Sequence, residues 1–93
     1  MPSATAHVAT TKPGPYMKQL CRHFGHKNEV TFDDEHGEIH LASGVCTLDA
    51  TGADVLVLSA TSDDDEILET LERVIGGHLE RFSGDDRLSV SWA

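Results

Sequence analysis

The chain has 93 residues, of which 39% are hydrophobic and 25% are charged, and its formal net charge is −9. This length suits a single domain, residues 1–93, and the negative charge repels nucleic-acid phosphates and anionic membranes, so neither is expected as a partner. With two cysteines, no signal sequence and no apolar run near the roughly 20 residues of a membrane span, a cytoplasmic location with reduced thiols is expected.

A strand and a helix are predicted first. Ala4, Ala6 and Val8 alternate with more polar residues, which is the period of a β-strand, and their small size would let a helix approach closely. A helix is then predicted from about Pro15 to His26, because proline is tolerated in the first turn of a helix. Its apolar stripe consists of Tyr16, Met17, Leu20, Phe24 and, at the margin, Cys21.

Four short strands are predicted next. Their ranges are 29–33, 38–42, 45–50 and 55–58. Connections this short require an antiparallel meander. The last of the four is the most apolar, so it is predicted to lie at the centre of the sheet.

A second helix has the strongest periodic signal in the chain. Its apolar residues are Ile67, Leu68, Leu71, Val74, Ile75, Leu79 and Phe82. Ser62 is the predicted N-cap. The acidic run 63–66 that follows is interpreted as stabilising the positive end of the helix dipole, and not as a metal-binding cluster. Gly76 and Gly77 lie outside the stripe and cost on the order of 1 kcal/mol each, which predicts a kink or a close approach by another surface.

The end of the second helix and one further strand are predicted last. The helix is expected to end at Ser83-Gly84-Asp85-Asp86, and Leu88, Val90 and Trp92 then alternate as a strand. The predicted fold is therefore α+β, in the order β-α-β-β-β-β-α-β, with both helices on one face of an antiparallel sheet. This wiring is analogous to half of a TATA-binding-protein-like fold, which by itself says nothing about function.

The opposite face of the sheet is predicted to be polar at its margins with a patch formed by Val55 and Val57. Such a face could be solvated, bind a ligand or pair with a second copy of the chain. A homodimer through this patch is one of the expected partners.

The first helix carries Cys21, His23 and His26, whose thiolate and imidazole groups are donors for borderline transition metals. At about 100° per residue, His23 and His26 are neighbours on the helix surface, whereas Cys21 points away from His23. This motif alone therefore offers two metal ligands. The alternative is that Cys21 is a small core residue and the histidines are polar groups at its rim.

His78 lies in the apolar stripe of the second helix, so its imidazole is expected to be largely buried and to need a hydrogen-bond partner. His23, Cys21 and Cys46 are the predicted partners. His78 is then either a satisfied core histidine or a group that faces a ligand or metal in a pocket between the helices and the sheet.

A small enzyme that uses the Cys21 thiol or an imidazole is the alternative from another class. Lys18 and Arg22 would lower the pKa of Cys21 if the thiol reached solvent. The helical phase instead turns Cys21 toward the core, and the sequence has no oxyanion-hole glycine motif and no third orienting group. No catalytic residue is therefore assigned, and an enzyme is the less favoured class.

A pattern that extends over nearly the whole chain is formed by residues 7–10, 16–27, 44–46, 78–82 and Trp92. In these residues the chain resembles the bacterial family known as domain of unknown function 2218. It implies a small bacterial protein without an assigned activity and without established site residues. Members of this family are linked with siderophore-interacting ferric reductases, which implies such a reductase as a partner and iron or haem as the ligand.

The favoured function is therefore a cytoplasmic binding or accessory module, with iron or siderophore metabolism as its expected context. Its candidate ligand-binding or metal-binding residues are His23, His78, Cys21, Cys46 and His26. A thiol-dependent or imidazole-dependent enzyme and a purely structural dimerisation module are the alternatives.

Overall fold

Five strands form one antiparallel sheet, and two helices lie against one of its faces. The computed structural model describes residues 2–41, 43–84 and 87–93. The elements are β1 (Ser3–Ala9), α1 (Pro13–Phe24), β2 (Glu29–Phe32), β3 (His36–Leu41), β4 (Gly44–Asp49), β5 (Val55–Ser62) and α2 (Asp65–Ser83). This arrangement confirms the predicted α+β class and the order of the elements through α2.

The strand order β1-β5-β4-β3-β2 shows how the chain crosses the sheet. Strands β2 to β5 form the predicted meander, with each strand antiparallel to the next. Strand β1 closes the sheet beside β5, so α1 carries the chain from one edge of the sheet to the other. Strand β5 is an interior strand as its apolar sequence requires, although β4 occupies the middle position.

Helix α1 begins two residues earlier than predicted and ends two residues earlier. Pro13 lies in its first turn, and the N-cap Lys12 makes no side-chain capping bond. After the last helical residue, Phe24, the Gly25 N–H donates to the carbonyl of Cys21 at 2.9 Å. The helix therefore ends before His26, which lies in the turn that follows.

The start of α2 differs from the prediction. Asp64, not Ser62, is the N-cap, and its carboxylate accepts a hydrogen bond of 2.7 Å from the N–H of Glu66. Ser62 is the last residue of β5, and its hydroxyl bonds the backbone of Asp64. The sequence offers several cap residues in a row, and the length of β5 decides which of them reaches the helix.

The end of α2 agrees with the predicted stop as far as the structure describes it. The helix ends at Ser83, and Gly84 follows with a φ of 53°, a conformation that favours glycine. Asp85 and Asp86, which belong to the predicted stop, and Ala42, which was placed at the end of a predicted strand, lie outside the described residues.

The predicted final strand is wrong. The terminal segment forms one isolated bridge, between Trp92 and Ala6, at the outer edge of β1. Before this bridge, two of its N–H groups bond α2 instead: that of Leu88 donates to the hydroxyl of Ser83 at 3.0 Å, and that of Val90 donates to the carboxylate of Glu80 at 3.0 Å. Alternation of apolar residues did predict which side chains turn inward, but a strand also needs a continuous backbone ladder.

Gly76 lies where the terminal segment packs closely against α2. A Cβ atom at this position would lie 3.1 Å from Nε1 of Trp92 and 3.2 Å from Cγ1 of Val90. The predicted close approach by another surface is therefore confirmed for Gly76. Gly77 is different, because a Cβ atom there would meet nothing within 4 Å among the described residues.

The core lies between the helices and one face of the sheet. The buried apolar residues of the strands are Ala4, Ala6, Val8, Ile39, Cys46, Leu48, Leu56, Leu58 and Ala60. Those of the helices are Tyr16, Met17, Leu20, Cys21, Phe24, Leu68, Leu71, Ile75 and Leu79. Val55 and Val57 are half-buried on the uncovered face, as predicted. None of the helices described here is long and apolar enough to cross a membrane.

Candidate functional site

Four aromatic rings meet where α1 and α2 lie side by side. His23 and Phe24 come from the last turn of α1, and His78 and Phe82 come from α2. The ring centroids of His23 and His78 are 4.8 Å apart, and those of Phe24 and His78 are 5.1 Å apart. We call these four residues the ring cluster. It brings together His23 and His78, two of the candidate residues, from different helices.

The sequence places these rings together for simple reasons of helix geometry. His78 and Phe82 are four residues apart and so lie on the same face of α2. Phe24 is a buried residue of the α1 stripe, and His23 lies on the flank of that stripe, exposed to solvent. The two histidines therefore sit at the solvent edge of an otherwise apolar contact between the helices.

His78 is held by its own helix. Its Nδ1 atom lies 2.6 Å from the carbonyl oxygen of Val74. A carbonyl only accepts hydrogen bonds, so Nδ1 carries the proton and Nε2 of the neutral ring keeps the lone pair. The predicted partners of His78, namely His23, Cys21 and Cys46, are replaced by this backbone group. The sequence could not show this, because the bond depends on the rotamer of the side chain.

The Nε2 atom of His78 is not sealed inside the core. It makes no hydrogen bond with any residue that the structure describes. Every buried side-chain nitrogen or oxygen in the described ranges does have a partner. His78 is therefore half-buried with one nitrogen fixed and the other available, and metal-ligating histidines are commonly oriented in this way.

A pocket of about 290 Å³ adjoins the ring cluster. It is lined by His23, Phe24, His26, Lys27 and Asn28. His26 thus contributes to this pocket and not to the ring cluster. We call it the α1-end pocket, since it lies where α1 gives way to the turn before β2. Neither Lys27 nor Asn28 was singled out in the sequence, where only their closeness to His26 could have drawn attention to them.

The two cysteines lie elsewhere, in the core. Cys21 and Cys46 are both free and have no solvent exposure. Cys21 packs over β3, where a Cβ atom on Gly37 would lie 2.8 Å from its sulfur. The candidate residues therefore separate into the exposed edge of the helix pair, with His23 and His78, and the buried space between α1 and the sheet.

A family model described as an uncharacterised protein conserved in bacteria, domain of unknown function 2218, matches residues 5–93. The chain belongs to this family. The predicted resemblance is thereby confirmed over nearly the whole chain.

One solved relative has the same fold. The NMR structure of PA4090 from Pseudomonas aeruginosa is 32% identical and superposes with a TM-score of 0.83, covering 100% of this chain and 96% of that one. No curated protein matches the chain in sequence. Neither the family description nor this relative states a ligand or an activity.

Burial sets the chemistry of the two thiols in this family member. Desolvation raises the pKa of Cys21 to about 11 and that of Cys46 to about 12. A thiolate is the nucleophilic and metal-binding form of cysteine, so neither side chain is activated near neutral pH. The predicted effect of Lys18 and Arg22 on Cys21 does not arise, because the thiol does not reach solvent.

We expect both thiols to resist alkylation in the native protein at pH 8 and to react in denaturing urea. Because both folded-state pKa values lie above the ordinary 9.0, the stability that the neutral thiols contribute is present below about pH 9. It is lost as the pH rises toward 11–12, since the unfolded chain ionises first. Labelling counted by mass spectrometry and urea titrations at pH 8 and 10 measure both effects. Fast labelling of native Cys21 would restore the thiol-enzyme alternative.

Two carboxylates with lowered pKa values serve turns and not a site. The N–H groups of Glu35 and His36 donate to Asp33 at 2.8 Å each and lower its pKa. Thr51 lowers the pKa of Asp49 through its hydroxyl at 2.6 Å and its N–H at 2.9 Å. In these Asx turns, the hydrogen bonds that the aspartate side chain accepts stabilise its ionised form.

A larger groove, of about 440 Å³, runs along the outer side of α2. Its lining consists of Glu69, Glu72, Arg73, Gly76, Gly77, Glu80, Val90 and Trp92. The sequence did not indicate this groove, because it forms only when the terminal segment folds back over α2.

Proposed function

We propose that this protein is a binding module that holds a transition-metal centre at the edge of the ring cluster, with His23 and His78 as its two protein ligands. The observation that carries the proposal is the arrangement of His78. Its Nδ1–H is fixed on the carbonyl of Val74, its Nε2 atom has no partner among the described residues and is not fully buried, and its ring lies 4.8 Å from that of His23.

The spacing of the two rings supports a shared metal. A metal–nitrogen bond of about 2.0–2.1 Å places the centroids of two imidazoles on adjacent coordination positions roughly 4.5–5 Å apart. The observed separation of His23 and His78 is 4.8 Å, with the ring planes inclined by 42°. His23 is exposed and can rotate to complete the geometry.

The number of donors restricts the proposal to a metal that brings ligands of its own. Across residues 2–41, 43–84 and 87–93, no group of three or more His, Cys, Asp and Glu side chains is arranged to hold a metal ion. A bare ion held by two imidazoles keeps several waters and binds weakly. Iron in a chelate that leaves two adjacent positions open needs only two protein ligands, and imidazole is a suitable one. Haem does not fit this pair, because the two positions that haem iron leaves open lie on opposite faces of its ring. The predicted iron context and reductase partner belong to this proposal.

The test uses protein purified without a histidine tag. Isothermal titration with Ni²⁺ is expected to show one site per chain, and His78→Ala and His23→Ala should each weaken it by about tenfold or more, or ~1.4 kcal/mol. His7→Ala is the control, because His7 is exposed on β1 and lies on the uncovered face. Binding that is absent, or that survives both substitutions, would disprove the metal site.

A homodimer is a second candidate, and it concerns the uncovered face of the sheet. Val55 and Val57 lie there beside each other on β5 and are half-buried with no helix over them. We expect sedimentation velocity to show a dimer that Val57→Glu converts to a monomer, since a buried unpaired charge opposes association. The matched control is Thr61→Glu, on the same face of the same strand. A monomer for the unchanged protein excludes this candidate.

A further inference from the structure

We infer that the α1-end pocket receives an organic anion that chelates the metal, and that Lys27 binds an acidic group of this chelator. This inference rests on the proposed function, because the metal is the one held by His23 and His78. It adds the chemical class of the ligand that completes the coordination shell. Four features of the pocket support it.

The first feature is position. His23 and Phe24 belong to both the ring cluster and the lining of the α1-end pocket. A metal on the Nε2 atoms of the histidine pair therefore lies at the margin of this pocket. The volume of about 290 Å³ is close to the lower end of the range for sites that hold small organic ligands.

The second feature is charge. The protein has 16 acidic and 7 basic residues, yet the described lining of this pocket contains Lys27 and two histidines and no carboxylate. Arg22 precedes His23 in the last turn of α1 and is also exposed. In an acidic protein, a wall of this composition favours an anion.

The third feature is that Lys27 is available. Lys18, which lies in α1, pairs with Asp34 at 2.8 Å. Lys27 forms no ion pair with any residue in the part of the chain that the structure describes, and its side chain is exposed. It can therefore reach a carboxylate on a bound ligand without giving up an internal partner.

The fourth feature concerns the end of α1, where free carbonyl groups would repel an anion. Two of them are occupied here. The carbonyl of Cys21 accepts the Gly25 N–H at 2.9 Å, and that of Phe24 accepts the N–H of Asn28 at 2.9 Å and its side-chain amide at 3.1 Å. These bonds reduce the negative potential that the helix end presents to the pocket.

The coordination count suggests a suitable probe. Two adjacent imidazoles leave four positions of an octahedral metal for the chelator. Ni²⁺ bound to nitrilotriacetate has four positions filled, two adjacent positions open and a net negative charge. Ni²⁺ bound to tris(2-aminoethyl)amine has the same count of filled and open positions, but its net charge is positive. The two complexes therefore separate the charge of the chelator from the need for open positions.

The experiment compares untagged protein titrated with aqueous Ni²⁺, with the nitrilotriacetate complex and with the amine complex. We expect the nitrilotriacetate complex to bind about tenfold more tightly than the amine complex, although the net charge of −9 favours the opposite order. Lys27→Ala should remove this preference and leave the affinity for aqueous Ni²⁺ within about twofold. Lys27→Arg should retain it. Arg73→Ala, which removes the same charge from the groove along α2, should change neither.

The outcomes distinguish the two proposals. If aqueous Ni²⁺ binds through His23 and His78 but the two chelates bind equally, or Lys27→Ala leaves the preference intact, the anionic chelator is wrong and the metal site stands. If aqueous Ni²⁺ does not bind, or binds without these histidines, the proposed function fails and this inference fails with it.

Discussion

Leu58→Ala is expected to lower the free energy of unfolding by about 2–5 kcal/mol. Leu58 has no solvent exposure and lies on β5, the strand that joins β1 to the meander. Its cross-strand neighbours are Ala6 on one side and Leu48 on the other. Ala6 is already small, so the neighbouring side chains have little means of filling the cavity that the substitution leaves.

Urea denaturation followed by far-UV circular dichroism measures this effect. Val57→Ala is the matched control, because Val57 is the preceding residue on the same strand but faces the uncovered side and is half-buried. It should cost less than about 1 kcal/mol. Equal losses for the two variants would show that the helix-facing side is not the main core.

Gly44→Ala is expected to destabilise the protein by about 1–3 kcal/mol, because there is no room for a methyl group where β4 begins. A Cβ atom would lie 2.5 Å from Cδ1 of Leu71 and 2.9 Å from the carbonyl oxygen of Thr61. The leucine can rotate away. The carbonyl belongs to the backbone of β5, so the contact with Thr61 must be relieved by moving one strand relative to the other.

Gly77→Ala provides the matched control for this substitution. A Cβ atom there meets nothing within 4 Å in the described structure, and the residue lies within α2. Alanine should stabilise the helix by up to about 1 kcal/mol. The two variants add the same methyl group and should shift the urea midpoint in opposite directions. A Gly44→Ala variant as stable as the parent protein would contradict the packing described for β4.

The candidate site could be predicted in part. Helical periodicity separated Cys21 from His23 and turned the cysteine toward the core, and the structure agrees. The same reasoning predicted that His78 lies near His23, and the two rings are 4.8 Å apart. It failed on the hydrogen-bond partner of His78. The choice of Val74 depends on a side-chain rotamer, which is settled by packing against the other rings.

The fold, like the candidate site, could be predicted only in part from the sequence. Alternation and helical spacing predicted the class, the meander and which side of each strand is buried, because these patterns depend on neighbours along the chain. The length of β5 was not predicted, and it moved the N-cap from Ser62 to Asp64. The terminal segment has the alternation of a strand, but bonds to Ser83 and Glu80 hold its backbone to α2.

By itself, therefore, the sequence determined the secondary structure, the inward and outward faces and the family. The tertiary structure decided which distant groups meet: His23 with His78, Trp92 with Gly76, and Lys27 with the pocket at the end of α1. The physical reason is that periodicity records the direction of each side chain relative to its own element. Contact between elements depends on how α1 and α2 settle against the same sheet, where hydrogen bonds and packing compete over the whole chain.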